Sequence, residues 1–330
     1  MLSASPTWKE EIIMTVFMHI LTNNVLPMGV MIGLGIVLMR AFKLDIKTLS
    51  KLNFYLFSPA LMFNLLYNQK LELSLIGKVF LFLLIFMFAQ YAIVEIVIRI
   101  KGYKASMRSA MKNSVLFYNS ANYGIPLNQL AFGGLSHTLA VQIIVMVVQS
   151  LIPNTWGIYN VNAHKADMKQ VWRTILSMPV IYVIPGALAL RWLNVPIPDA
   201  LQMPVTYLAD AFFGTALITL GVQLGSMEWR IKRTLAVDVS IAVVLRLVAG
   251  PLLAWGIITL WNTVGIMPLD KLTAAALIVS SAVPTSLSSV LLAVEFDNEK
   301  EFASQAVFLS TLLSILTITV VIFFLNIQIP

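Results

Sequence analysis

The chain contains no cysteine, so disulfides, thiolate chemistry and cysteine-ligated metals are excluded. Its three histidines, His19, His137 and His164, have no local ligand spacing, and no metal site is expected. Charge is also scarce: 11% of the 330 residues are charged, against roughly 25% in an ordinary soluble domain. The formal net charge is +7, but no basic run is interleaved with aromatics, which argues against a nucleic-acid partner. No nucleophile–base pair stands out, so an enzyme is not expected. At the start, Lys9 precedes Glu10 and Glu11, and the apolar stretch that follows shows no small-residue cleavage site. It reads as a retained segment and not as a secretory signal.

What is there is apolar: 59% hydrophobic residues and a mean hydropathy of +0.86. A membrane-spanning helix needs about 20 predominantly apolar residues. Polar breaks divide the chain into ten such helices, at 22–41, 50–68, 73–99, 107–133, 136–162, 171–193, 200–224, 234–261, 269–296 and 300–327. The expectation is an all-α integral membrane protein with one domain over 1–330. Residues 7–21 either extend the first helix or lie in the interface, since Trp8 and a charged start suit both.

Of the 22 Lys and Arg residues, sixteen fall on one side of this helix arrangement and five on the other, with Arg246 inside a helix. The positive-inside rule then places both termini extracytoplasmic in a multi-pass protein of the plasma (inner) membrane. The halves 1–163 and 164–330 echo each other, because Pro126 and Pro284 each interrupt the fourth helix of a set of five. An odd-numbered repeat re-enters the bilayer inverted, a design shared by many secondary transporters.

The two interruptions carry the candidate chemistry. The first is Asn119-Ser120-Ala121-Asn122-Tyr123-Gly124-Ile125-Pro126-Leu127-Asn128, and the second is Ser280-Ser281-Ala282-Val283-Pro284-Thr285-Ser286-Leu287-Ser288-Ser289. Proline removes an N–H and clashes with the preceding turn, and glycine permits unusual dihedrals, so both helices are expected to open here. Such backbone is tolerated in a bilayer only against protein or a water-filled cavity. Two half-helix N-termini would then meet near the midplane, where their partial positive charge and free N–H groups favour an anion. Asn119, Asn122, Pro126, Pro284, Thr285 and Ser286 are the candidate substrate-site residues, with helix capping by Asn and Ser as the plainer alternative.

Ionisable residues inside spans are costly and are functional suspects. Arg246 is central in the eighth helix and Asp210 is near the middle of the seventh. Their pairing is one reading, and satisfaction of Arg246 by backbone carbonyls at a break is the other. Glu95 and Asp238 sit nearer helix ends and read as local ion pairs. Gln142, Gln149, Asn154, Ser304, Gln305 and Ser310 line a cation site or bond neighbouring helices. Gly29-x-x-x-Gly33 signals close helix packing.

Together these residues resemble the auxin efflux carrier family over about residues 24–325. The resemblance rests on Tyr118-Asn119 with Gly124-Ile125-Pro126-Leu127, on Ala282-Val283-Pro284 with Ala293-Val294-Glu295-Phe296, and on Leu208-Ala209-Asp210-Ala211 leading into Thr219-Leu220-Gly221. Arg246 before Gly250-Pro251 and Ser304-Gln305-Ala306-Val307 complete it. The resemblance implies a bile-acid-transporter-like fold, in which helices 1, 2, 6 and 7 form a scaffold and the broken fourth and ninth helices cross within a transport domain. It implies elevator-like alternating access, frequent homodimers, and contact of Asn119 with a substrate carboxylate. Thr285 and Ser286 stand where plant exporters carry an amide and Gly, and the connection between helices 5 and 6 is short, so a bacterial-type carrier of small organic anions is implied. Alternatives are a sodium-coupled organic-anion symporter of the bile-acid-carrier type, with Gln142, Ser281 and Gln305 on the cation, or a non-transporting membrane sensor. Apart from Na+ or H+ coupling no cofactor is expected, and the expected partners are the substrate anion and the lipid bilayer.

Overall fold

In the computed structural model, residues 14–68, 72–161, 173, 176–227, 229, 232–265 and 267–325 are described. These residues are helical, with no strand among them. In chain order the helices are α1 Met14–Phe42, α2 Ile46–Leu52, α3 Ser58–Asn68, α4 Leu73–Lys101, α5 Ala105–Leu116, α6 Gly124–Ala131 and α7 Ser136–Ile152. They continue with α8 Val180–Trp192, α9 Asp199–Ser226, α10 Ala236–Val264, α11 Lys271–Ser281, α12 Leu287–Glu295 and α13 Lys300–Leu325. Six helical stretches are long and apolar enough to cross a membrane unaided: α1, most of α4, Ser136–Gly157, α9, α10 and α13. Large apolar side chains such as Val37, Phe88, Trp255 and Phe324 remain exposed on them, as a lipid-facing surface requires.

Several boundaries differ from the sequence-based expectation. Residues 14–21 join α1, which settles that part of the 7–21 segment, while 7–13 lie outside the described residues. The second helix begins at Ile46, four residues before the expected start at 50, because the Asp45 side chain caps it by accepting the N–H groups of Lys47 and Thr48. The start of the expected 171–193 helix and Lys9, Lys70, Lys165, Lys169 and Arg230 lie outside the described residues.

Four helical passages contain a π-helical turn: Leu21–Val25, Asn53–Phe57, Pro153–Gly157 and Leu245–Ala249. Three of them end two residues before a proline, namely Pro27, Pro59 and Pro251. The ring of a helical proline collides with the carbonyl four residues back and offers no N–H to it. Widening the preceding turn relieves both problems without ending the helix. Each of these three turns also holds a buried polar residue: Asn24, Asn53 and Arg246.

The helices pack as two groups. In the first, α9 runs along α1 and α3, and α8 runs along α3. The closest approach is backbone on backbone: a Cβ built on Gly35 would stand 2.2 Å from the Ile218 carbonyl oxygen, and one on Gly221 would stand 2.0 Å from that of Ile32. The close packing expected of Gly29 and Gly33 is therefore misplaced. A Cβ on Gly33 meets nothing within 4 Å, and one on Gly29 makes ordinary contact with Ile315 at 3.9 Å. The second group comprises α4 to α7 and α10 to α13, with α7 against α4 and α11, and α10 against α11 and α13. Between the groups lies an apolar seam that includes Leu61, Met62, Phe212 and Ala216 on one side and Ile125, Ile143 and Met146 on the other.

α11, one half of the second broken helix, is capped by Asp270, whose carboxylate accepts the Thr273 N–H at 2.9 Å and its hydroxyl at 2.6 Å, with His137 Nε2 at 3.8 Å. Partial burial pushes the Asp270 carboxyl up, but the two Thr273 bonds and His137 together hold it below its ordinary value. A depressed carboxyl stabilises the fold above its unfolded pKa, about 3.9, and that contribution is lost as pH falls through the lower folded value. Melting temperatures of detergent-solubilised protein should therefore fall more steeply below pH 4 in the parent than in Asp270→Asn. Identical slopes would remove the cap from the acid response.

Candidate functional site

Both expected breaks are present: α5 ends at Leu116 and the helix resumes as α6 at Gly124, and α11 ends at Ser281 and resumes as α12 at Leu287. The two non-helical segments lie antiparallel against each other. Asn119 donates its N–H to the Pro284 carbonyl at 2.9 Å, and Ser286 donates its N–H to the Phe117 carbonyl at 2.8 Å. Each break thus supplies backbone partners that the other lost.

Neighbouring side chains satisfy more of the opened backbone. On α7, the Gln142 amide donates to the Ser120 carbonyl at 2.8 Å, and Gln149 accepts the Tyr118 N–H at 3.3 Å. On α13, the Ser310 hydroxyl accepts the Thr285 N–H at 3.2 Å, while the Thr285 hydroxyl donates to the Ser114 carbonyl at 2.8 Å. Gly124 leaves room where Gln142 passes, since a Cβ there would lie 2.4 Å from the Gln142 amide nitrogen and push it off its place. Uncharged amides and hydroxyls do this work at no cost of a buried charge.

Among the described residues Arg246 supplies the one charge at the crossing, and it sits behind the breaks. It is fully buried, donating to the Val115 carbonyl at 3.0 Å and also to the Ser281 carbonyl. These carbonyls belong to the last turns of α5 and α11, the partially negative ends of the two entering half-helices. Its guanidinium carbon is 4.5 Å from the centre of the Tyr118 ring. Gly250 leaves room for the fork, as a Cβ there would meet Ser281 O at 3.0 Å and Arg246 Nη2 at 3.1 Å. The Asp210 pairing open to the sequence is not formed: Asp210 is exposed on α9, and Nη1 and Nη2 of Arg246 donate to carbonyls on other helices.

In front of the breaks is a cavity of about 290 Å³ between the two helix groups. One wall is the crossing, with Tyr118, Asn119, Ser120, Asn122, Ser286 and Ser288, joined by Gln149 and Ser150 of α7. The opposite wall comes from the first group, with Ser50, Asn53, Phe54, Met62, Phe212 and Gln223. No charged side chain among the described residues lines it. Among the described residues, the Asn119 and Asn122 side chains reach it with no hydrogen-bond partner, and no acceptor takes the N–H groups of Ala121, Asn122 and Tyr123 ahead of α6. The second half-helix, α12, begins at the same cavity with Ser286 as its cap. Unused amides, free N–H groups and two positive helix ends therefore converge on one space, while the negative ends of the same broken helices are neutralised by Arg246 on the far side.

The sequence-based candidates thus separate. Asn119, Asn122 and Ser286 line the cavity. Pro126, Pro284 and Thr285 are buried in or beside the breaks and shape them without lining it. Gln142, Ser281 and Gln305 do not bond to one another: Gln142 holds Ser120, the Ser281 hydroxyl donates to the Ile278 carbonyl, and Gln305 accepts the Lys232 N–H at 3.3 Å. The Asn154 side chain lies outside the described residues. Glu95 does more than pair locally with Arg99, since it also meets Arg108 at 3.2 Å and Lys112 at 2.9 Å on α5. Asp238 of α10 accepts the hydroxyl of Tyr103, in the α4–α5 connection, at 2.6 Å. Ser50, Asn53 and Gln223 were missed, and the available signal was Asn53 followed six residues later by Pro59.

A cavity built at two crossed helix breaks belongs to a membrane protein that handles a solute, and a family model described as membrane transport protein matches residues 20–322. The chain belongs to that family. The resemblance to auxin efflux carriers seen in the residues is borne out at this level, and the protein is a membrane transporter, of a family whose members are transporters rather than enzymes. No curated protein matches the chain.

Proposed function

We propose that this transporter is a secondary carrier of a small organic anion, held in the cavity between the crossing and the α1–α3, α8, α9 group. The carrying observation is the pair of amides, Asn119 and Asn122, that have no partner among the described residues, beside three backbone N–H groups likewise without one. Such donors suit carboxylate oxygens. Apolar lining from Met62, Met146, Phe212 and Leu291 favours a substrate with a hydrocarbon body.

Taking the broken and π-jointed helices as single passes gives ten, divided between residues 14–161 and 173–325 as two inverted sets of five. The apolar seam between the groups supports elevator-like alternating access, because an apolar surface can slide at low cost. Arg40, Lys101, Arg108, Lys232 and Lys300 sit at helix ends that share one side, which supports extracytoplasmic termini in a plasma membrane. A sodium-coupled route has less support, since Gln142, Ser281 and Gln305 are already engaged separately.

The test is a thermal-shift screen of purified protein against mono- and dicarboxylates, followed by flux of the stabilising acid in proteoliposomes with and without sodium. Asn119→Ala should weaken binding about ten- to a hundredfold, the loss of roughly 1.5–3 kcal/mol for one hydrogen bond to a charged group. A folded Asn119→Ala variant with parental affinity would sink the site.

A further inference from the structure

Beside the central cavity lies a wider space of about 830 Å³ bounded by the α1–α2 connection. The two share Ser50, Phe54, Gln223, Leu287 and Leu291, so they adjoin along these side chains. Where the inner part has no charged lining, the outer part is lined by Lys43, Lys47 and Lys51. All three are exposed, and none closes an ion pair among the described residues. Among the described residues Asp45 is the one acid lining this space, and its carboxylate accepts from the first turn of α2 through Lys47 N, Thr48 N and the Thr48 hydroxyl. The outer walls are otherwise apolar and aromatic, from Phe54, Tyr55, Leu287 and Leu291.

We propose that Lys43, Lys47 and Lys51 form an anion-capture vestibule that draws organic anions from the basic side of the membrane into the central cavity. This deepens the function proposed above and rests on it. A recess in which one sign of charge prevails, here three lysines against Asp45, between low-dielectric walls focuses its field and raises local counter-ion concentration and capture rates, by about ten- to a thousandfold where the charge is all of one sign. The effect fades as added salt shortens the screening length to about 10 Å at 0.1 M. Division of labour follows: the lysines set the rate of arrival, and the uncharged amides inside hold the ligand without trapping it in an ion pair. The same geometry assigns the entry face, because the wider of the two adjoining spaces is the one that carries the lysines.

The test uses the natural absence of cysteine. A single Tyr55→Cys change carries a thiol-linked fluorophore into the vestibule of the full-length protein, and quenching by iodide is compared with quenching by caesium. Iodide should quench several times more strongly at low salt, and the excess should vanish in Lys43→Gln/Lys47→Gln/Lys51→Gln. Flux of radiolabelled benzoate, phenylacetate, hexanoate and succinate is then measured from the lysine-bearing face. The triple Gln variant should raise KM about tenfold at low ionic strength with maximal flux unchanged. The parent's salt sensitivity should disappear with it, and Lys→Arg replacements should restore both. Equal iodide quenching in parent and triple variant, or an unchanged KM, would overturn the vestibule. Absence of flux of every acid in the parent would instead refute the carrier reading, with the quenching result still deciding the vestibule.

Discussion

Arg246→Met is expected to unfold readily and to transport nothing. The side chain donates to two carbonyls at the ends of two half-helices and lies against the Tyr118 ring. Each charge-assisted bond is worth roughly 1.5–3 kcal/mol, and a desolvated cation–π contact is worth about 2 kcal/mol. Removal also leaves two negative helix ends facing each other in a dry interior, so a loss of several kcal/mol is the order of magnitude. Membrane insertion pulls the other way, since losing a central Arg eases it by about 2.5–3.5 kcal/mol. That gain belongs to the unassembled helix, so the variant should reach the membrane in normal amount and fail afterwards. Arg246→Lys should recover only part, because one ammonium lacks the planar fork that reaches both carbonyls. Asp210→Asn should leave melting temperature and flux unchanged, and in a double-mutant cycle with Arg246→Gln the effects should add. Coupling above about 0.5 kcal/mol would restore a link between the two residues.

Gly221→Val should be nearly as damaging by a different route. A Cβ at 221 would lie 2.0 Å from Ile32 O and 2.8 Å from Gly35 Cα, both backbone atoms that cannot rotate away. The α1 and α9 axes would have to separate along their whole contact, giving up the close packing that holds helices together in lipid. Purified yield and melting temperature should collapse. Gly33→Ala, four residues along the same motif as Gly29, is the control: its Cβ has open space, and the better helix former should stabilise by about 0.5–1 kcal/mol. A tolerated Gly221→Val would mean the two helices are not held backbone to backbone.

The breaks were legible because proline and glycine act on their own backbone, so Pro126 and Pro284 announced where helices open. Asn119, Asn122 and Ser286 followed, since polar residues beside such openings have little else to do in a bilayer. The opposite wall of the cavity was not legible. Ser50, Asn53 and Gln223 are unremarkable in their own segments and become a wall only when α9 lies against α1 and α3. The partners of Arg246 were hidden for the same reason, as the carbonyls lie 131 and 35 residues away and carbonyls leave no mark in a sequence. For the glycines, spacing named a motif on α1 but not the face that meets α9, and Gly35 carries the contact.

The π turns before Pro27, Pro59 and Pro251 have a consequence for what lengths these helices accept. Each turn holds one residue more than an α-helical turn, and the widening takes that residue up locally, so the segments on either side keep nearly the phase of an uninterrupted helix. Deleting one residue from Leu245–Ala249 would therefore restore ordinary winding with both faces still aligned, Asp238 toward Tyr103 and Gly250 against Ser281. What the deletion would remove is the widened turn that carries Arg246 and relieves Pro251, so its damage should fall on the crossing and not on the packing of the two ends of α10.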